Sequence, residues 1–262
     1  MKFENISVMN FENALRGMRN PKNSWHLSDT YEGFEYDDTS NIYARTNQQP
    51  FEIIKRDNEL VHFISIGPND MDLARRLIKG GSEHRKFLRQ IFASVDITAP
   101  LYWWKEFDTY KVATTANSTS TMHKILSKEI DFSCFETGDF NGSLQLIDPA
   151  PIYLRVDSFL DDLEQMRQLA IMYEEKAKKA TAEDERKKYF ELSRKYWKEL
   201  IRWLPEGWLQ TRTWTGSYEN LASMYHQREN HKLIEWKEDF MTFIDSLPYS
   251  KELIKFDFSE KI

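Results

Sequence analysis

Apolar positions along the first hundred residues fall in short runs of two different periods. Residues 3–8 read as a short strand, and Asn10–Met18 reads as a helix with Phe11, Ala14, Leu15 and Met18 on one face. Residues 20–50 are rich in Asn, Asp, Ser and Tyr and read as loop. Glu59–Ile66 alternates and is β-branched, which predicts a strand. Gly67-Pro68-Asn69 reads as a turn, with Asn69 as the cap of a helix over Met71–Lys79. Gly80-Gly81 ends that helix, Ser82 is placed to cap a further helix containing His84, and Ile91–Thr98 reads as a second strand.

The second half has the longer period of helices. From Asp157 an apolar stripe runs through Phe159, Leu163, Met166, Ala170, Tyr173 and Ala177. Thr181-Ala182-Glu183-Asp184 looks like a fresh helix start, so the stretch divides near Ala180. The next helix carries Tyr189, Tyr196, Trp197, Leu200 and Leu204, and Pro205 and Gly207 stop it. A final helix runs from about Ser217 towards Leu247, with an interruption or cap near Asn230. Strands among helices, without repeat or clean linker, predict an α+β fold in a single domain over residues 1–262.

Composition narrows the class. With 262 residues, 40% hydrophobic and 30% charged, the chain is globular and long enough for a substantial core. Net charge is −6, which argues against a general polyanion surface and so against polymeric nucleic acid as a partner. The one cysteine, Cys134, excludes an internal disulfide framework or a CxxC metal site and reads as a buried or idle thiol. No metal-ligand pattern of the HExxH type occurs, and no P-loop or GxSxG. The N-terminus lacks the basic-then-apolar pattern of a signal peptide and no apolar run reaches membrane-span length, so a cytoplasmic protein without membrane contact is expected.

One segment stands apart. Thr109–Met122 is dense in hydroxyls and nearly uncharged, and it follows the aromatic segment Leu101-Tyr102-Trp103-Trp104. Hydroxyls and amides offer short-range donors and acceptors to phosphates, sugars and base edges. A Ser/Thr-rich surface loop is the commoner meaning of such a run; attachment to a packed aromatic segment favours a pocket lining. In the last helix, Leu221, Met224 and Tyr225 set an apolar stripe, and Arg228 falls on the same face. Spacing leaves two readings level: an arginine lying along the core with its head in solvent, or a guanidinium aimed into a site.

Taken in order, these segments resemble the flavin-dependent thymidylate synthases. Leu77-Ile78-Lys79-Gly80-Gly81-Ser82-Glu83-His84 is similar to that family's helix, glycine and Glu-His segment, and Ala99-Pro100 to the Ala-Pro before its signature. Counting on without a gap lays the signature Arg-His-Arg-x-x-Ser-x-Asn-Glu-x-Ser-x-Arg-Tyr over Thr109–Met122. Leu204-Pro205 and Thr211-Arg212-Thr213-Trp214-Thr215 resemble later family segments, and a gapless count from Trp214-Thr215 puts the substrate-binding arginine on Arg228. The family-like core covers about residues 70–247. Within the signature, Arg-His-Arg reads Thr109-Tyr110-Lys111, Asn-Glu reads Ala116-Asn117, the second Ser reads Thr119, and Arg-Tyr reads Thr121-Met122.

The resemblance implies a small, mostly antiparallel sheet with long helices and a methyltransferase that makes dTMP from dUMP. It implies FAD as cofactor, with NADPH and methylenetetrahydrofolate as co-substrates, in a homotetramer whose sites are shared between subunits. It assigns catalytic roles to Arg228 and Thr119, and the nucleotide to Glu106, Thr119, Thr121 and Arg228. The flavin falls to His84, Thr109, Tyr110, Lys111, Asn117 and Ser217. No metal is implied. Two other readings stand beside it: the same scaffold modifying another pyrimidine nucleotide, which loss of the signature arginines fits slightly better, and a non-catalytic nucleotide-binding or regulatory protein.

Overall fold

The computed structural model describes residues 1–36, 52–57, 60–137 and 151–256. In chain order these form β1 (Lys2–Met9), α1 (Phe11–Gly17), β2 (Tyr31–Tyr36), β3 (Glu52–Asp57), β4 (Leu60–Ser65), α2 (Pro68–Lys79), β5 (Phe92–Pro100), α3 (Leu101–Phe107) and β6 (Thr115–Ser118). There follow α4 (Thr121–Lys124), α5 (Pro151–Lys179), α6 (Glu183–Trp203), β7 (Leu209–Ser217), α7 (Tyr218–Arg228), α8 (Met241–Asp245) and α9 (Ser250–Leu253). Four strands pair in the order β1-β5-β7-β6. Three more pair antiparallel in the order β2-β4-β3, with Tyr31 opposite Ser65 and Glu52 opposite Ile64. The α+β class expected from the pattern is what the chain adopts.

Contacts cluster into two compact units, each drawing on several stretches of chain. The first comprises Met1, Thr98–Glu106 and Ser118–Arg212. Its core joins Ile125, Ile130, Cys134 and Phe135 to Leu160, Leu163 and Leu200 of the α5–α6 hairpin. Trp103 and Trp104 are buried as expected. The Trp104 indole donates to Gln210 O at 3.0 Å, and the Arg212 guanidinium lies over its ring at 4.1 Å. On α5, Glu164 accepts from both Nε and Nη2 of Arg167 and from the backbone N–H of Ile130. Burial raises its pKa, but these bonds outweigh burial and hold the carboxyl below its ordinary range.

The second unit comprises Lys2–Ile97, Phe107–Asn117 and Thr213–Ile262. The second strand expected is present as β5, and it alternates, with Ala93, Val95 and Ile97 buried. On its polar side Ser94 meets Thr215 at 3.0 Å, and Asp96 accepts from Thr213 and Asn5. Those two bonds, Thr213 first, lower the Asp96 pKa. Tyr218 is fully buried and hydrogen-bonds Pro248 O, tying α7 to the segment before α9.

Several local expectations are corrected. The stretch read as loop contains β2, whose register is supplied by β4 rather than by local sequence; residues 37–50 lie outside the described residues. Helix α2 begins at Pro68 and not Met71, so Asn69 sits inside the first turn. Its exposed amides are met from a distance: Asp29 accepts from Asn69 N and Asp70 N, both at 2.9 Å. Gly67 allows this, since a Cβ there would fall 2.1 Å from the Asp29 carboxyl carbon. The helix expected around His84 is only a 3-10 turn over Lys86–Arg89, which turns Phe87 and Leu88 inward. Thr181 caps nothing, because α6 starts one step later with Ala182 as its flanking residue. Helix α5 starts at Pro151 rather than Asp157. Among the described residues, no helix is long and apolar enough to cross a membrane.

Candidate functional site

Helix α7 organises the second unit's chemistry. Ser217 caps it in a capping box with Asn220: the Ser217 hydroxyl donates to Asn220 Oδ1 at 2.7 Å and accepts from Asn220 N. The Ser217 hydroxyl, assigned to the flavin by resemblance, is thus engaged in holding the helix start. Three further anchors follow along the helix. Glu219 takes a bidentate bond from Nε of Arg85, at 2.9 and 3.1 Å, with both side chains largely buried. Asn220 donates to Val112 O. Near the C-terminal end, Gln227 and Arg228 both reach Tyr110. The helix therefore ties the neighbour of His84 and the start of the polar run to one rigid element.

Arg228 is half-buried, and its Nε donates to the Tyr110 hydroxyl at 2.7 Å. The guanidinium lies 5.4 Å from the centre of the Tyr110 ring and 5.0 Å from that of Trp236. Trp236 is fully buried, packed on Phe107 at 6.1 Å, and belongs to a π-helical turn over Glu235–Phe240. That turn and the break after Arg228 are the interruption expected near Asn230. Such turns insert an extra residue per turn and often mark functional positions. The guanidinium is thus held in an aromatic setting, against the rings of Tyr110 and Trp236.

His84 borders a cleft of about 780 Å³, a volume in the range of small-molecule sites. Gly17–Lys22, the C-terminal half of α2 and the turn carrying Lys86 and Phe87 form its walls. Leu27, Leu73, Leu77 and Phe87 give it apolar surface, and Arg19, Lys22, Arg76 and Lys86 face it against the one carboxylate of Glu83. Gly80 makes room for the imidazole, since a Cβ there would stand 3.1 Å from the His84 ring, and Gly81 follows at a φ of +94° that favours glycine. Arg19 is the residue that sequence alone does not single out. Its side chain is only 5% exposed and its Nε donates to Asp70 at 2.5 Å, while its Nη2 is buried without a hydrogen-bond partner among the described residues. Asp70 also accepts from Ser28 Oγ and from the amides of Asp29 and Thr30.

The polar run itself is open. Thr109 and Lys111 are exposed beside the 3-10 turn Asp108–Tyr110, and β6, with Asn117, is exposed at all four positions on the edge of its sheet. The run therefore presents hydroxyls on an open strand edge, not on a buried lining. In the first unit, Thr119 donates both its backbone N–H and its hydroxyl to Thr211 O. Thr121 begins α4 behind the cap Ser120, and Glu106 lies on α3, both partly buried. Cys134 is buried, with its thiol directed to Glu129 O at 3.6 Å. No cluster of metal-ligating side chains occurs among the described residues.

Neither a protein-family model nor a curated protein sequence matches the chain. Solved structures do. One is the flavin-dependent thymidylate synthase ThyX from Helicobacter pylori complexed with FAD and dUMP, at a TM-score of 0.54 and 13% identity over 97% of this chain and 99% of that one. A second structure of the Helicobacter pylori enzyme with FAD and dUMP gives 0.53 and 13% over 98% and 100%. At that identity the likeness is one of fold, and it extends over essentially the whole of both chains.

Proposed function

We propose that the protein is a flavin-dependent enzyme of pyrimidine nucleotides, methylating dUMP to dTMP with methylenetetrahydrofolate as one-carbon donor and NADPH as reductant. The observation that carries this reading is the His84 cleft, on a scaffold whose solved neighbours hold FAD and dUMP. Its residues fit a dinucleotide cofactor. Leu73 and Leu77 offer apolar surface for a ring, and Arg19, Lys22, Arg76 and Lys86 offer positive charge for a diphosphate. The orphaned Nη2 of Arg19 is a buried donor that an anionic ligand would satisfy.

Bound there, FAD supplies hydride and one-carbon transfer, so no protein thiol is needed and the buried Cys134 has no part. The chain's own contribution is binding and orientation. Arg228 presents a guanidinium fork suited to a pyrimidine carbonyl. Of the residues that the resemblance assigns to the flavin, His84 lines this cleft, while Thr109, Tyr110, Lys111 and Asn117 lie outside its lining and Ser217 fixes the start of α7. The open strand edge carrying Thr115–Ser118 suits a site completed by another copy of the chain in a homotetramer.

Two measurements test the reading. Purified protein incubated with FAD and freed of excess is expected to retain flavin absorbance and to bind dUMP by calorimetry. Expression in a thymidine-requiring strain is expected to restore growth. Flavin and dUMP binding without rescue would reassign the reaction to another modification of a pyrimidine nucleotide; absence of both ligands would leave a non-catalytic protein on this scaffold.

A further inference from the structure

We propose that Tyr110 is a positioning residue that sets the heading of Arg228 before any nucleotide arrives; this rests on the reading of Arg228 as the nucleotide's partner. The two residues lie 118 positions apart, and one hydroxyl joins them. Tyr110 Oη accepts from Arg228 Nε at 2.7 Å and donates to Gln227 Oε1 at 3.1 Å, so donor and acceptor roles are both spent on consecutive residues of α7. The rings of Tyr110 and Trp236 meet edge-on, 6.2 Å apart at 62°, and the guanidinium lies against both.

The guanidinium is therefore constrained in two senses. The rings fix which face it shows, and the Nε bond fixes its rotation and hence the heading of its terminal fork. An arginine otherwise loses considerable side-chain freedom when it engages a planar ligand. Here much of that freedom is already gone. The buried Trp236 on its π-helical turn backs the arrangement, stacked in turn on Phe107 at 18°. In the signature that this chain resembles, position 110 carries a histidine; the phenol here reaches across to α7 instead.

Tyr110→Phe keeps the ring and removes only the hydroxyl. With FAD-loaded protein, calorimetric titration of dUMP is expected to show affinity about tenfold weaker, equivalent to about 1.4 kcal/mol. Tyr110→Phe combined with Arg228→Ala is expected to bind no more weakly than Arg228→Ala alone. Without ligand, the Arg228 Nε–H resonance is expected to be ring-shifted and slow to exchange in the wild type. In Tyr110→Phe it should exchange rapidly while keeping its ring shift. Wild-type dUMP affinity in Tyr110→Phe, or an unaltered Nε–H resonance, overturns the positioning role and leaves the nucleotide site standing. Wild-type affinity in Arg228→Ala removes Arg228 from the site, and the positioning role with it.

Discussion

Asp70→Asn is the sharpest probe of how the cleft is built. The Asp70 carboxylate is fully buried and accepts four hydrogen bonds, from Arg19 Nε, Ser28 Oγ and the amides of Asp29 and Thr30. Asparagine removes the charge and turns one acceptor oxygen into a donor amine facing other donors. Arg19, 5% exposed, is then left as an uncompensated buried cation. Breaking a buried pair in this way costs about 3–5 kcal/mol, a large part of the roughly 5–15 kcal/mol that holds a domain together. Urea denaturation, with slopes of about 1–3 kcal/mol per molar, should show a midpoint lower by a molar or more. Adding Arg19→Met removes the stranded cation, so the double variant should be more stable than Asp70→Asn alone, with a coupling of at least about 2 kcal/mol. A cost below about 1 kcal/mol for Asp70→Asn, or strict additivity in the double variant, would refute the argument that Asp70 holds Arg19 at the cleft wall.

Other consequences follow from the same packing. Gly80→Ala places a methyl 3.1 Å from the His84 ring and should weaken FAD affinity with little loss of helicity, read by flavin fluorescence titration and circular dichroism. Glu164→Gln should destabilise the first unit by about 1–3 kcal/mol, since the carboxylate accepts charge-assisted bonds from Arg167. Because the folded pKa of Glu164 lies below its unfolded value, its stabilisation is present above the unfolded pKa and fades as pH falls through the folded one. The wild type should therefore lose its advantage over Glu164→Gln in denaturation series taken to acid pH; a constant gap would contradict this. Ser217→Ala should cost about 1 kcal/mol of stability through the lost cap, with Tm as the readout.

Sequence patterning revealed the parts of this molecule that depend on neighbours in the chain. The strand at β5, the apolar stripe of α5, the break near Ala180 and the break after Arg228 all rest on local period or local stop signals, and all are present. What escaped it depends on distant partners. Asp29 caps a helix 40 residues away, and Arg19 pairs with Asp70 51 residues away; each looks like an ordinary surface charge in its own context. Asn69 had the right side chain for a cap, but Pro68 opens the helix ahead of it. Arg228 was legible as an arginine on an apolar face, while its partner Tyr110 was legible only as part of a polar run. The run itself lies open on a strand edge because, among the described residues, β6 has a neighbour on one side alone, a matter of sheet order that no residue in the run encodes.

Flavin retention bears most directly on the central claim. Protein mixed with excess FAD and passed through a desalting column is predicted to emerge with flavin absorbance approaching one equivalent per chain, and with less from Arg19→Ala or Gly80→Ala. Colourless protein under conditions where it is folded would contradict the flavin-dependent reading.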